Sequence, residues 1–190
     1  AGSGFGFEKT VKNIEDLGFN PKSLGHVILT HCHFDHMGAA PFFRYYFGTK
    51  LVMHSLDAAI IARGDSRLTA AICFKVTLTP FPVDIHLKGE SGSFTSGSWE
   101  FNWIHTPGHT PGSIGLYVER SGERLLFGQD IGAPLLEEYD CEPEAWRASV
   151  RKLIDLDATI FLDGHGGSIY GAREIRKFLG RLAATRKITA

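Results

Sequence analysis

The stretch Thr30-His31-Cys32-His33-Phe34-Asp35-His36-Met37-Gly38 gathers three of the chain's nine histidines and one carboxylate into six positions. His31 and His33 are two apart, so at the end of an extended strand their rings project to the same side, close enough to hold one metal ion, while Cys32 points the other way. Asp35 and His36 follow where the chain turns into a helix, which aims an oxygen donor and a third imidazole at a neighbouring point. One ion accounts for two histidines; four donors suggest two ions. At the chain's own His and Asp frequencies, H-x-H-x-D-H arises by chance in about one such sequence in a thousand.

Three later residues of the same chemistry also lie just past short apolar runs. His109 stands in "IHTPGHTPGS", Asp130 ends "LLFGQD", and His165 ends "IFLDGH". Strands sharing one orientation in a sheet bring such ends to one rim. The set His31, His33, Asp35, His36, His109, Asp130 and His165 supplies five imidazoles and two carboxylates. That is enough for two four- or five-coordinate ions with a bridging carboxylate. Taken singly, "PGH" or "GHG" reads as a turn and Asp130 as a helix cap; the weight lies in their combination. His26, His54, His86 and His105 read as structural or surface histidines.

The elements that must position these residues follow from periodicity and punctuation. In "EKTVKNIEDLG", Val11, Ile14 and Leu17 share a helical face and Gly18 supplies a left-handed stop. Val27-Ile28-Leu29 is a short buried strand that delivers the motif. One helix is expected from Asp35 to about Gly48, with Pro41 in its first turns. "KLVMH" is a strand, and Ser55 caps a helix to about Arg63. The segment 64–83 lacks periodicity; surface packing is preferred there over a substrate-facing lid. The strands "DIHL", "SFTS", "WEFNWIH", "SIGLYVE" and "RLLFG" follow, with "RSGE" suited to a hairpin. Pro143 opens a helix burying Trp146, Val150, Leu153 and Ile154. Strand "ATIFLD" and a last helix, with Ile175, Phe178, Leu179 and Leu182 inward, close the chain. Tyr139, Tyr170 and Phe74 read as packing aromatics, so substrate-binding residues stay unknown.

With 190 residues, 43% of them hydrophobic, the composition is that of one globular domain with a real core, spanning 1–190. The 20 basic and 21 acidic side chains give a formal net charge of −1, so no global field draws the chain to nucleic acid or anionic lipid. A small-molecule substrate is expected, with no nucleic-acid partner and no membrane; a homo-oligomer is left open. Cys32, Cys73 and Cys141 form neither a disulfide framework nor a thiolate zinc knuckle, which fits a reducing, cytoplasmic setting.

In this order, "THCHFDHMG", "TPGHTPGS", "GQD" and "DGHGG" resemble the metallo-β-lactamase superfamily over nearly the whole chain. The resemblance implies an α+β fold, the αββα four-layer sandwich of the metallo-β-lactamase type, with a dinuclear site at one edge. Position by position, it makes His31, His33 and His109 ligands of one ion, Asp35, His36 and His165 ligands of the other, and Asp130 the bridge. The family's opening strands, which precede an Asp-x-Gly turn, are not matched before "AGSGFGF", so a sheet edge and apolar helix faces are expected to be uncovered. Within the family, Asp130 together with Asp35 argues against the β-lactam substrate class, and a glyoxalase-II-like or lactonase-like single-domain enzyme fits best.

Two divalent ions about 3.5 to 4 Å apart share a water and lower its pKa toward 7, giving a hydroxide nucleophile. Zinc comes first, and iron or manganese suits the same donors. Asp35 is the expected catalytic residue, orienting the nucleophile and relaying its proton. The expected function is therefore a dinuclear metal-dependent hydrolase of a small thioester, lactone or phosphoester. The alternative implied by the family is a mononuclear iron persulfide dioxygenase; a Gly-Cys-Gly-Arg-like run of that branch is not found in "IGAPLLEEYDCEP".

Overall fold

The computed structural model describes residues 1–185 and 188–189. It falls into two compact units, Ala1–Leu87 and Lys88–Ala190.

In the first unit, helix α1 (Phe7–Asp16) ends as the sequence requires: Gly18 takes φ +83°, and its N–H reaches the Glu15 carbonyl at 2.8 Å. Val11 and Ile14 are half-buried, whereas Leu17, past the helix end, is exposed. Strands β1 (His26–Ile28), β2 (Lys50–His54) and β3 (Ile85–Leu87) form a parallel sheet in that order. "DIHL" thus joins the sheet of the opening motif rather than the strands that follow it.

The helix expected from Asp35 to Gly48 is two helices, α2 (Phe34–Met37) and α3 (Ala40–Phe47). Proline has no N–H to give and its ring clashes with the preceding turn, so the chain breaks and restarts, placing Pro41 in the first turn of α3. Gly48 ends α3 in the left-handed region at φ +69°. Helix α4 (Ser55–Ala62) is capped by His54 rather than Ser55: the imidazole Nδ1 accepts the Leu56 N–H at 3.4 Å. The core joins Leu29, Cys32 and Met37 to Leu51, Met53, Ile60 and Ile61. Leu68, Phe74, Val76 and Phe81 of the aperiodic segment pack against it, the packing role expected of that segment. Phe5, Leu17, Phe19, Phe42, Tyr45 and Tyr46 are exposed.

The second unit is built on a six-stranded sheet. Its strands are β4 (Ser91–Ser96), β5 (Trp99–His105), β6 (Ile114–Arg120), β7 (Glu123–Phe127), β9 (Ile160–Asp163) and β10 (Gly167–Tyr170), in spatial order β10-β9-β7-β6-β5-β4. The pair β7–β9 is parallel and the others antiparallel. "RSGE" is the hairpin expected of it: Arg120 pairs with Glu123 around Ser121 and Gly122 at φ +52° and +80°, the left-handed pair that a two-residue loop needs. The parallel crossover from β7 to β9 contains α5 (Pro143–Asp155), which buries Trp146, Val150 and Leu153. Helix α5 lies on the sheet where β6 carries Gly115: a Cβ there would stand 2.7 Å from Leu153 Cδ2. Helix α6 (Ala172–Thr185) buries Ile175 and Leu179, and its Phe178 ring meets Phe161 of β9 at 5.7 Å. The short strand β8 (Leu135–Leu136), unannounced by any periodicity, pairs in parallel with β11 (Ile188–Thr189).

Candidate metal centre

In the first unit β1 leaves its ladder at Ile28, and the Leu29 N–H still reaches the Val52 carbonyl at 2.9 Å. The next residues run extended into α2, with His33 as its N-cap residue. Cys32 is fully buried in the core. Its Sγ faces the Leu68 carbonyl at 3.8 Å, so His31 and His33 are carried to the other side, as the alternation requires. Their ring centroids lie 5.0 Å apart, and those of His31 and His36 4.3 Å apart. The Thr30 hydroxyl sits 3.2 Å from His31 Nδ1 and orients that ring. Asp35 Oδ2 and His36 Nε2 are 3.4 Å apart. His31 and His33 are buried; Asp35 and His36 are half-buried.

The Asp57 carboxylate, itself fully buried in α4, accepts the Cys32 backbone N–H at 2.8 Å. Burial first, and then the charge and hydrogen bond of Asp57, push the Cys32 thiol well above its ordinary value. Cys32 is therefore a neutral core side chain and not a thiolate ligand.

In the second unit His109 lies in the loop between β5 and β6. A hydroxyl pair, Thr110 Oγ1 and Ser113 Oγ at 2.7 Å, braces that loop, and the Cys141 thiol donates to the His109 carbonyl at 3.2 Å. Beyond β7 the chain turns through Gln129, left-handed at φ +50°, whose side-chain oxygen accepts the Asp130 N–H at 2.9 Å. Asp130 Oδ2 then stands 3.7 Å from His109 Nε2 and 3.3 Å from His165 Nε2. Asp163 secures the last loop: its carboxylate accepts the Gly166 N–H at 2.7 Å and the Gly132 N–H at 3.4 Å.

Among the described residues, His31, His33, Asp35 and His36 thus gather in one unit and His109, Asp130 and His165 in the other. Within each, neighbouring donor atoms such as those of His31 and His33, or of Asp130 and His165, lie within 4.8 Å of one another. Imidazoles and carboxylates without thiolate suit zinc, iron and manganese, so the donor chemistry fits divalent metal. His54, His86 and His105 have structural work: His54 caps α4, His86 Nε2 faces the Val83 carbonyl at 3.1 Å, and His105 Nε2 the Pro111 carbonyl at 2.8 Å. Sequence reasoning missed Asp57 and Asp163. The one usable signal was for Asp57, a lone acid among the apolar residues of "SLDAAIIA".

The sequence model of the metallo-beta-lactamase superfamily matches residues 1–165. A probable metallo-hydrolase of Bacillus subtilis, YqgX, is 30% identical over 80% of this chain and 72% of its own. The hydroxyacylglutathione hydrolase GloC of Haemophilus influenzae is 31% identical over 84% of this chain and 75% of its own. Among solved structures, a metallo-beta-lactamase of Cronobacter sakazakii with a HARLDQ motif superposes with a TM-score of 0.79 at 22% identity, covering 97% of this chain and 79% of that one. That likeness is one of fold alone. Motif order, donor clusters and the matched span together make this chain a member of the metallo-beta-lactamase superfamily.

Proposed function

We propose that this metallohydrolase cleaves a small thioester, lactone or phosphoester at a dinuclear centre. One ion would be held by His31, His33 and His109, the other by Asp35, His36 and His165, with Asp130 shared. The observation that carries the reading is the Asp130 carboxylate, flanked by His109 and His165 imidazoles at 3.7 and 3.3 Å in the manner of a bridging ligand. The likeness to a hydroxyacylglutathione hydrolase supports placing thioesters first.

When bound, two divalent ions supply Lewis acidity toward the substrate oxygen and toward a water nucleophile. The chain's residues do the rest. Asp35, half-buried and with Oδ2 3.4 Å from His36 Nε2, would orient a nucleophilic water and carry its proton to the leaving oxygen or sulfur. The buried His31 and His33 hold their donors away from bulk water. We place the enzyme in a reducing, cytoplasmic setting because Cys32, Cys73 and Cys141 form no disulfide; separately, no described helix is long and apolar enough to cross a membrane.

Elemental analysis of protein purified without added metal tests the reading. About two equivalents of zinc, iron or manganese per chain are expected, followed by turnover in a screen of thioesters, lactones and phosphodiesters. His33→Ala and Asp130→Ala should each abolish turnover and lower bound metal with the fold retained. Full metal content and turnover in both would sink the assignment. A single iron with oxygen consumption on a persulfide would replace hydrolysis by dioxygenation.

A further inference from the structure

Asp57 stands in the first turn of α4, beside the buried Ala58, Ile60 and Ile61, and its own side chain is fully buried. A carboxylate in such a place is costly unless its oxygens are engaged. One of them engages the metal-motif segment directly: Oδ2 accepts the peptide N–H of Cys32, 25 residues earlier, at 2.8 Å. That N–H belongs to the peptide plane between His31 and Cys32. Fixing the plane fixes ψ of His31 and φ of Cys32, and with them the directions of the rings on either side.

Among the described residues no strand pairs with this segment beyond Ile28, where β1 ends. Three of its backbone N–H groups are tied to other elements: Leu29 N–H to the Val52 carbonyl at 2.9 Å, Cys32 N–H to Asp57, and Phe34 N–H to the Thr69 carbonyl at 2.8 Å. The outer two are backbone to backbone, and only the middle one depends on a side chain.

We propose that Asp57 is a positioning residue: its carboxylate clamps the Cys32 peptide and presets His31 and His33 in the geometry in which they take a metal ion. The proposal rests on the metal-binding reading above.

Cobalt(II) titration of the apoprotein, followed by its visible spectrum, tests it. Outer supports of metal ligands are worth about 10- to 100-fold in affinity, and Asp57→Leu, which fills the site without an acceptor, should lose about that much and alter the cobalt spectrum while keeping its circular dichroism. Asp57→Asn keeps a carbonyl acceptor and should stay within about threefold of the unmodified protein, with its spectrum. Unchanged cobalt affinity and spectrum in Asp57→Leu, or an Asn variant as impaired as the Leu variant, overturns the proposal. If Asp57→Leu does not fold, Asp57→Asn decides: a Cys32 amide protected from hydrogen exchange together with the unmodified cobalt spectrum supports the clamp, and loss of either overturns it. Failure of the unmodified protein to take up cobalt would instead overturn the metal-binding reading, and this role with it.

Discussion

Gly128 stands one residue before the Gln129–Asp130 turn, and there is room for nothing larger. The fully buried ring of Phe161 on β9 occupies the place a Cβ would take, while the Gly128 N–H holds the Leu162 carbonyl at 2.8 Å. Gly128→Ala must therefore push against a core aromatic, at a cost of about 1–3 kcal/mol, and shift the Asp130 backbone. Combining it with Phe161→Leu, which withdraws the ring edge, should recover part of that loss, a coupling visible in the thermal midpoints of the parent, both single variants and the double. Strictly additive losses would show that the crowding is relieved elsewhere. At this scale the candidate donors were legible, because spacing and residue type are local properties of "THCHFDHMG", "PGH", "GQD" and "DGH". Their supports were not. Asp57 acts on Cys32 and Asp163 on Gly132 across 25 and 31 residues, and no local pattern encodes such a hydrogen bond.

Helix α5 shows what an element contributes. Trp146 is wholly buried, and its indole Nε1 donates to the Ile131 carbonyl at 3.2 Å, next to Asp130. The helix also comes so close to the His109 loop that Gly108, at φ +123°, leaves no space for a side chain against the Trp146 backbone. Trp146→Ala should cost about 3–5 kcal/mol through the cavity it opens, measurable by urea denaturation. Trp146→Phe should cost less, and should be felt at Asp130 through the carbonyl it abandons; a Phe variant as damaged as the Ala one would mean that the hydrogen bond outweighs the packing. This helix was legible because its apolar face repeats over 13 residues. Where patterns are short, reading failed for identifiable reasons. Pro41 divides what periodicity alone joins, since α2 supplies just four residues, and the cap of α4 falls to His54 because its ring nitrogen reaches where a hydroxyl was expected. Strand β10, "GSIY", is too short and too glycine-bounded to announce itself; it exists by pairing antiparallel with β9.

At the scale of the whole molecule the charges almost cancel, with a formal net charge of −1, so acid stability depends on particular pairs rather than on a global field. Among the described residues two pairs, one in each unit, hold a carboxyl clearly below its usual value. In the first, Arg44 grips Asp84 through two hydrogen bonds of 3.1 and 3.2 Å, and Asp84 Oδ2 also accepts the Leu51 N–H at 2.9 Å, joining α3 to β2. The Arg44 hydrogen bond is the chief reason that the Asp84 carboxyl is held below its usual value. In the second, Lys152 of α5 bonds Glu90 at 2.9 Å and lowers its carboxyl likewise, with His105 adding to the effect. A carboxyl depressed in the folded state is protonated first in the unfolded chain. Its stabilising effect is complete above the unfolded value, about 4, and is lost as pH falls through the lower folded value. Stability should accordingly decline below about pH 5 and keep declining past pH 4. Both pairs are solvent-accessible, so the decline should be shallow and should shrink further in high salt. Urea denaturation of the parent and of Asp84→Asn/Glu90→Gln from pH 7 to 3 checks this. The double variant should start less stable at neutral pH and lose less on acidification, so that the two curves converge at the acid end. Parallel curves would mean that neither carboxylate carries the acid sensitivity, and would move it to carboxylates outside these two pairs.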